Sequence, residues 1–256
     1  MISNAILGPL IVIEDILTDS PPLAIIAAVA LLAYLVSRRW QLAAGMAAGL
    51  WFIGSLELWS PAMQTVAIMI VAVVISIVIG IPMGVITARS SRARAIVSPI
   101  LDLMQTIPSF VYLIPALMLF GLGKVPAILA TVIYATPPLI RLTDLGIRYV
   151  DAEVVEASRA FGATRWQMLT GVQIPLAMPS IMQGINQTMM MALAMVVIGS
   201  MIGARGVGET VLIGLQRNDP GTGFVGGIAI VILAIVFDRI SQAAGNRVQK
   251  HRTVAH

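Results

Sequence analysis

The chain has 256 residues, of which 58% are hydrophobic and only 11% charged, and its mean hydropathy is +0.94. An ordinary soluble domain carries roughly 25% charged residues, so this composition excludes a soluble enzyme or a nucleic-acid-binding module of ordinary type. The formal charge of +4 would suggest a nucleic-acid partner only if the basic residues formed one patch, so their positions matter more than their sum. Cysteine is absent, which excludes disulfides, thiol catalysis and cysteine metal sites. The two histidines, His251 and His256, both lie near the C-terminal end. No histidine metal cluster is expected, and no catalytic residue.

The first twenty residues are apolar but contain no Lys or Arg, and they carry Glu14, Asp15 and Asp19. A secretory signal needs a basic leading region, so this segment is expected to be a mature N-terminus with at most a short interfacial helix. A membrane helix needs about 20 mostly apolar residues. The candidates in chain order are Pro22–Ser37, Gln41–Leu58, Ala62–Ala88, Ile96–Phe120, Val125–Ile140, Pro179–Ala204 and Phe224–Ile240. The fourth is interrupted by Pro99, Pro108 and Pro115, which a span tolerates where neighbouring helices satisfy the freed carbonyls. The expected fold class is an all-α polytopic membrane protein with about seven spans. Residues 1–60 would form an N-terminal extension with two accessory helices, 61–245 a five-helix core, and 246–256 a cytoplasmic tail.

The charges sort by loop. Arg38 and Arg39 follow the first candidate span, and Arg89, Arg92 and Arg94 the third. Arg141, Arg148, Arg159 and Arg165 follow the fifth, and Arg239, Arg247, Lys250 and Arg252 the last. Only Lys124, Arg205 and Arg217 fall on the other side. By the positive-inside rule the N-terminus is expected outside and the C-terminus in the cytoplasm. The basic balance then records orientation, and no nucleic-acid partner is expected.

One connection is long. From 141 to 175 the chain is polar enough to leave the bilayer yet periodic enough to be helical: Val154, Val155, Ala157, Ser158 and Phe161 follow helical spacing, and Gly162 is a natural stop. A second short helix is expected at Thr164–Leu169, with Pro175 breaking the chain before the next span. On periodicity alone this is either a docking surface or an amphipathic loop lying on headgroups.

The residues in this loop carry a resemblance. Glu156-Ala157-Ser158, three residues, Gly162, nine residues and then Val172-Gln173-Ile174-Pro175 resembles the EAA signature of ABC-importer permeases, the MetI-like superfamily. Ser158, Val172 and Ile174 depart mildly from that pattern, while the spacing is kept. Three further stretches resemble the permeases of glycine betaine and choline osmoprotectant importers: Pro99 to Pro108, Ile185-Asn186-Gln187-Thr188 with Met195-Val196-Val197, and Ala229 to Ala234 with Asp238-Arg239.

The resemblance implies alternating access driven by a separate ATPase, with ATP and magnesium bound by that partner and no cofactor by this chain. It implies an extracytoplasmic substrate-binding protein, a second permease copy or paralogue, and a bacterial or archaeal cytoplasmic membrane. It assigns Glu153, Glu156, Ala157, Ser158, Arg159, Phe161, Gly162, Ala163, Trp166 and Pro175 to an ATPase-coupling loop. Glu156 could pair with a basic group on the ATPase, or else with Arg159 or Arg165. No G-x-x-x-x-G-K-[ST] phosphate loop occurs, and Gly121-Leu122-Gly123-Lys124 lacks both its spacing and its hydroxyl.

Asp102, Gln105, Gln183, Asn186, Gln187 and Thr188 are candidates for a translocation path. Asp102 reads as the sole acid within a span, and capping or pairing with an arginine is favoured over substrate contact. The four polar residues of the sixth span would either line a path or hydrogen-bond between helices. Ala204 to Glu209 resembles the family's outer loop, a tight turn or a binding-protein contact. With 5% aromatics scattered along the chain, no aromatic cage for a quaternary ammonium is expected. Methionine or another amino acid is the alternative substrate, and an ion-coupled secondary transporter the more distant alternative.

Overall fold

A computed structural model of the chain describes residues 2–253. Its regular elements are helical: α1 (Ile2–Asp19), α2 (Pro22–Ser37), α3 (Trp40–Ser55), α4 (Trp59–Arg89), α5 (Ser91–Thr106), α6 (Leu113–Phe120), α7 (Lys124–Arg148), α8 (Ala152–Ala160), α9 (Arg165–Met168), α10 (Ile174–Gly199), α11 (Val207–Gln216) and α12 (Pro220–Thr253). A π-helical turn, Leu169–Gln173, joins α9 to α10, and single 3-10 turns occupy Ser109–Tyr112 and Ser200–Ile202. The all-helical expectation holds. The expected tail overlaps α12, which runs to Thr253; its last residues, 254–256 with His256, lie outside the described residues.

The candidate spans number four to six against an expected count of about seven. Among the described residues α4, α7, the continuous α9–α10 rod and the first 26 residues of α12 are long and apolar enough to cross a membrane. Two bent pairs raise the number to six: α1 with α2, turning 106°, and α5 with the segment ending in α6, turning 107°. The reason is length. Both α2 and α3 have 16 residues, or about 24 Å at 1.5 Å per residue, against a hydrocarbon core of about 30 Å. The segment read as one span over 96–120 is broken where Ile107 leaves the helix and Pro108 follows. The N-terminal segment packs on the bundle. α1 buries Ile6 and Leu10 in the same core as Ala67, Ile68 and Val71 of α4, and Lys124 Nζ lies 2.6 Å from a carboxylate oxygen of Glu14.

α7 is the axis of the bundle. It packs between α4 and α10, and small residues set the close approach. A Cβ built at Gly84 on α4 would lie 2.5 Å from Thr143 Cβ, and one at Gly146 on α7 would lie 2.7 Å from Ser180 Cβ on α10. Membrane helices, lacking a hydrophobic drive toward one another, associate through such contacts. α2 and α3 form a hairpin that turns at Arg38, φ +56°. Ala33, Ala43 and Met46 of the hairpin bury against Val236 of α12. Large apolar side chains such as Val78, Phe224 and Val231 remain exposed on the outer surface, where lipid would cover them.

The polar segment read as the start of a loop is instead the end of α7, which continues helically to Arg148. Its charged groups are ion-paired in place: Arg141 with Asp102, and Asp144 with Arg94 and Arg148.

Candidate functional site

The 149–175 region forms an elbow at one end of the bundle. Asp151 caps α8 by accepting the Glu153 amide at 2.9 Å. The helix ends in a Schellman motif: the Gly162 amide donates to the Arg159 carbonyl at 2.9 Å and the Ala163 amide to the Ser158 carbonyl at 3.1 Å. That closure requires a left-handed residue, and Gly162 supplies it at φ +80°. A Cβ at Gly162 would meet nothing within 4 Å. The glycine is therefore dictated by its backbone angle, and close approach plays no part within this chain. Thr164 and Gln167 then form a reciprocal capping box that starts α9. Their Thr-x-x-Gln spacing is readable in the sequence.

Pro175 does not break the chain. It sits in the first turn of α10, just after the π-helical turn, where the Ile174 amide reaches back five residues to the Leu169 carbonyl. The widened turn accommodates a residue that lacks an N–H and would crowd the carbonyl four positions earlier. The result is one rod from Arg165 to Ile202, so the elbow's second arm is rigidly continuous with a spanning helix.

α8 buries none of its residues. Phe161 is 93% exposed and Trp166 67%, large aromatic groups presented on either side of the bend. Glu153, Glu156, Ala157 and Arg159 are exposed, whereas Ser158 and Ala163 are half-buried. Among the described residues Glu156 pairs with neither Arg159 nor Arg165.

Beneath the elbow lies an ion cluster that the sequence reading does not single out. Asp144, buried near the end of α7, lies 3.4 Å from Arg94 of α5 and 3.1 Å from Arg148 of α7. Arg94 also donates to the Thr87 carbonyl of α4 at 3.4 Å. The cluster thus ties α4 and α5 to the helix that leads into the elbow. Only the Asp144–Arg148 spacing of four is visible in the sequence; Arg94 is fifty residues away. Asp102, the acid singled out within a span, is exposed on α5 and ion-paired with Arg141 of α7. It caps no helix.

The remaining candidates do not converge. Thr188 is buried and donates to the Ala135 carbonyl of α7 at 3.0 Å. Asn186 donates to Asp238 of α12 at 3.3 Å and accepts from Ser241. Asp238, the second acid inside a spanning helix, also accepts from Gln242 at 2.7 Å. Gln105, Gln183 and Gln187 are exposed, and Gln183 and Asn186 line a cavity of about 110 Å³ between α10 and α12. Tyr112 and Tyr134 pack with ring centroids 6.4 Å apart. The glycine-rich turn over 203–207 is tight: Gly203 and Gly206 have positive φ, and the Val207 amide donates to Thr65 Oγ1 at 2.9 Å.

A multi-pass helical bundle with a rigid, aromatic-tipped elbow extending from two of its longest helices has the form of a membrane transport subunit. Residues 80–250 match the family described as binding-protein-dependent transport system inner membrane component, and the chain belongs to it. It is 56% identical over 193 residues to the glycine betaine/proline betaine transport system permease protein ProW of Salmonella typhimurium, covering 75% of this chain and 54% of that one. It is 50% identical over 206 residues to the glycine betaine/carnitine transport permease protein GbuB of Listeria monocytogenes, covering 80% and 73%. The chain thus spans about half the length of the first relative. Its fold is similar to inward-facing structures of the MetNI methionine ABC transporter, with a TM-score of 0.62 and 26% identity over 73% of this chain and 92% of that one.

Proposed function

We propose that this chain is the membrane permease subunit of an ATP-driven importer for glycine betaine-type compatible solutes. The observation that carries the reading is the elbow: a capped, glycine-hinged helix pair, rigidly continuous with a spanning helix, that leaves Phe161 and Trp166 uncovered. Large exposed aromatics of this kind serve as anchors in partner pockets. Two ATPase subunits would receive the elbows of two permease copies and supply ATP and magnesium. Their closure would pull on α10 and switch the permease between inward- and outward-facing states. The arginine-rich end bearing the elbow is then cytoplasmic, in the inner membrane of a bacterium or archaeon. The turn at Gly203–Gly206 faces an extracytoplasmic binding protein. The relatives' names favour a betaine over methionine, the substrate named for the structural neighbour.

The test is reconstitution in liposomes with an ATPase subunit and a binding protein of a glycine betaine importer. Glycine betaine is expected to stimulate ATP hydrolysis and to be taken up, and methionine is not. Truncating Phe161 or Trp166 to Ala should weaken ATPase capture by about 2 kcal/mol or more each. Uptake that continues without any ATPase would refute the reading.

A further inference from the structure

A polar cleft of about 490 Å³ opens between α8 and the ends of α4 and α7. Four guanidinium side chains line it: Arg89 from the last turn of α4, Arg148 from the last turn of α7, Arg159 from α8 and Arg165 from the start of α9. Arg148 is engaged with Asp144. Among the described residues Arg89, Arg159 and Arg165 have no carboxylate partner, and Glu156, the acid that shares the lining, pairs with none of them. The cleft therefore holds an excess of positive charge in forked, planar groups suited to phosphate oxygens. Beside the arginines the lining includes smaller apolar patches at Ala88 and Val155, with Ile147 and Met168 buried behind them.

We propose that this cleft binds the phosphodiester of an anionic phospholipid, with Arg89, Arg159 and Arg165 on the phosphate and the apolar patches at Ala88 and Val155 beside the glycerol. Position favours a lipid over a free anion. Arg89 and Arg148 close the last turns of two spanning helices, the depth at which hydrocarbon gives way to headgroups. Glu156 and Arg159 of the expected coupling loop share the lining, whereas the exposed aromatics Phe161 and Trp166 do not, so the cleft lies on the bundle side of the elbow and the ATPase is made an outcome of the test. A lipid seated there contacts α8 and the bundle at once, so its occupancy sets the angle at which the elbow is held.

The proposal holds whichever solute is carried, and its lipid-binding arms need no ATPase, so it can fail while the importer reading stands. The purified full chain in neutral detergent is titrated with dioleoyl phosphatidylglycerol, dioleoyl phosphatidylcholine or inorganic phosphate, and adducts are counted by native mass spectrometry. Phosphatidylglycerol is expected to be retained at least about tenfold more tightly than phosphatidylcholine, with inorganic phosphate weaker than either. Arg89→Gln with Arg165→Gln should weaken the phosphatidylglycerol adduct about tenfold or more, and Arg165→Gln alone should weaken it measurably, covering the case in which the double variant elutes as aggregate. Arg92→Gln, the same charge change outside the cleft lining, should leave it intact. Equal binding of inorganic phosphate would make the site one for a free anion. Equal loss in Arg92→Gln would reduce the effect to diffuse attraction. Stoichiometric displacement of the lipid by added ATPase would assign the cleft to that partner. Any of the three overturns the proposal.

Discussion

Replacing Gly162 separates backbone angle from bulk. At φ +80° a non-glycine residue is held in the left-handed region, which costs roughly 1–2 kcal/mol for most L-residues, less for Asn, and more when the side chain is β-branched. No steric term adds to this, because a Cβ there meets nothing within 4 Å. The strain falls on the elbow alone, since α8 buries nothing, and 1–2 kcal/mol corresponds to about a 5–30-fold loss in the population of the bent form. Gly162→Asn should therefore weaken ATPase capture least, Gly162→Ala by about 5–30-fold, and Gly162→Val most. The thermal midpoint of the permease should not move in any of them. Capture is read by binding of the detergent-solubilised permease to immobilised ATPase, and coupling by substrate-stimulated ATP hydrolysis in liposomes. If Asn and Val were equally disruptive, or if all three were silent, the left-handed bend would not be what presents the elbow.

Three further outcomes follow from the same geometry. Asp144→Asn removes the charge that Arg94 and Arg148 share. Both arginines are about a third exposed and can turn to water, so a stability loss of about 1–3 kcal/mol is expected in thermal unfolding; an unchanged midpoint would refute a structural role for the cluster. Gly84→Ala and Gly45→Ala should move stability in opposite directions. The first drives a Cβ to 2.5 Å from Thr143 and 2.9 Å from the Ile140 carbonyl, an overpacking cost of about 1–3 kcal/mol, whereas the second meets nothing within 4 Å and gains about 0.5–1 kcal/mol of helix propensity. At the start of α12, Asp219 accepts from the amides of Gly221 and Thr222 and from the Thr222 hydroxyl, and the Thr222 hydrogen bonds hold its carboxyl below the usual carboxylate range. With the folded value depressed, the cap's contribution is fully present above the ordinary Asp value and is lost as pH falls through the folded one. The thermal midpoints of Asp219→Ala and the unaltered chain should thus differ at neutral pH and converge in acid. Parallel curves would contradict this.

The sequence by itself determined the class of the fold and most of the elbow. Too few charges to wet a globule force the chain into lipid, and inside lipid the backbone must satisfy itself helically. The elbow was legible because its signals are local. A Gly stop, a Thr-x-x-Gln box and the spacing of the EAA-like residues all act within a few positions, where sequence order and spatial order coincide.

What the tertiary structure alone decided was where polar groups find partners. Arg141 to Arg148 read as loop because they are polar. They are helix, with Asp102 answering Arg141 and Arg94 answering Asp144 from elements 39 and 50 positions away, and Arg148 answering Asp144 from the next turn. Of the two acids, the one with the intramembrane reading proved exposed and the unremarked one buried, since burial depends on which helix lies opposite. The span boundaries differ for a related reason: hydropathy measures how apolar a stretch is, and it does not register the 106° and 107° bends that divide two apolar stretches. Pro175 shows the converse. A residue that locally breaks a helix was absorbed by one widened turn, because the packing of α10 against α7 holds the rod straight through it.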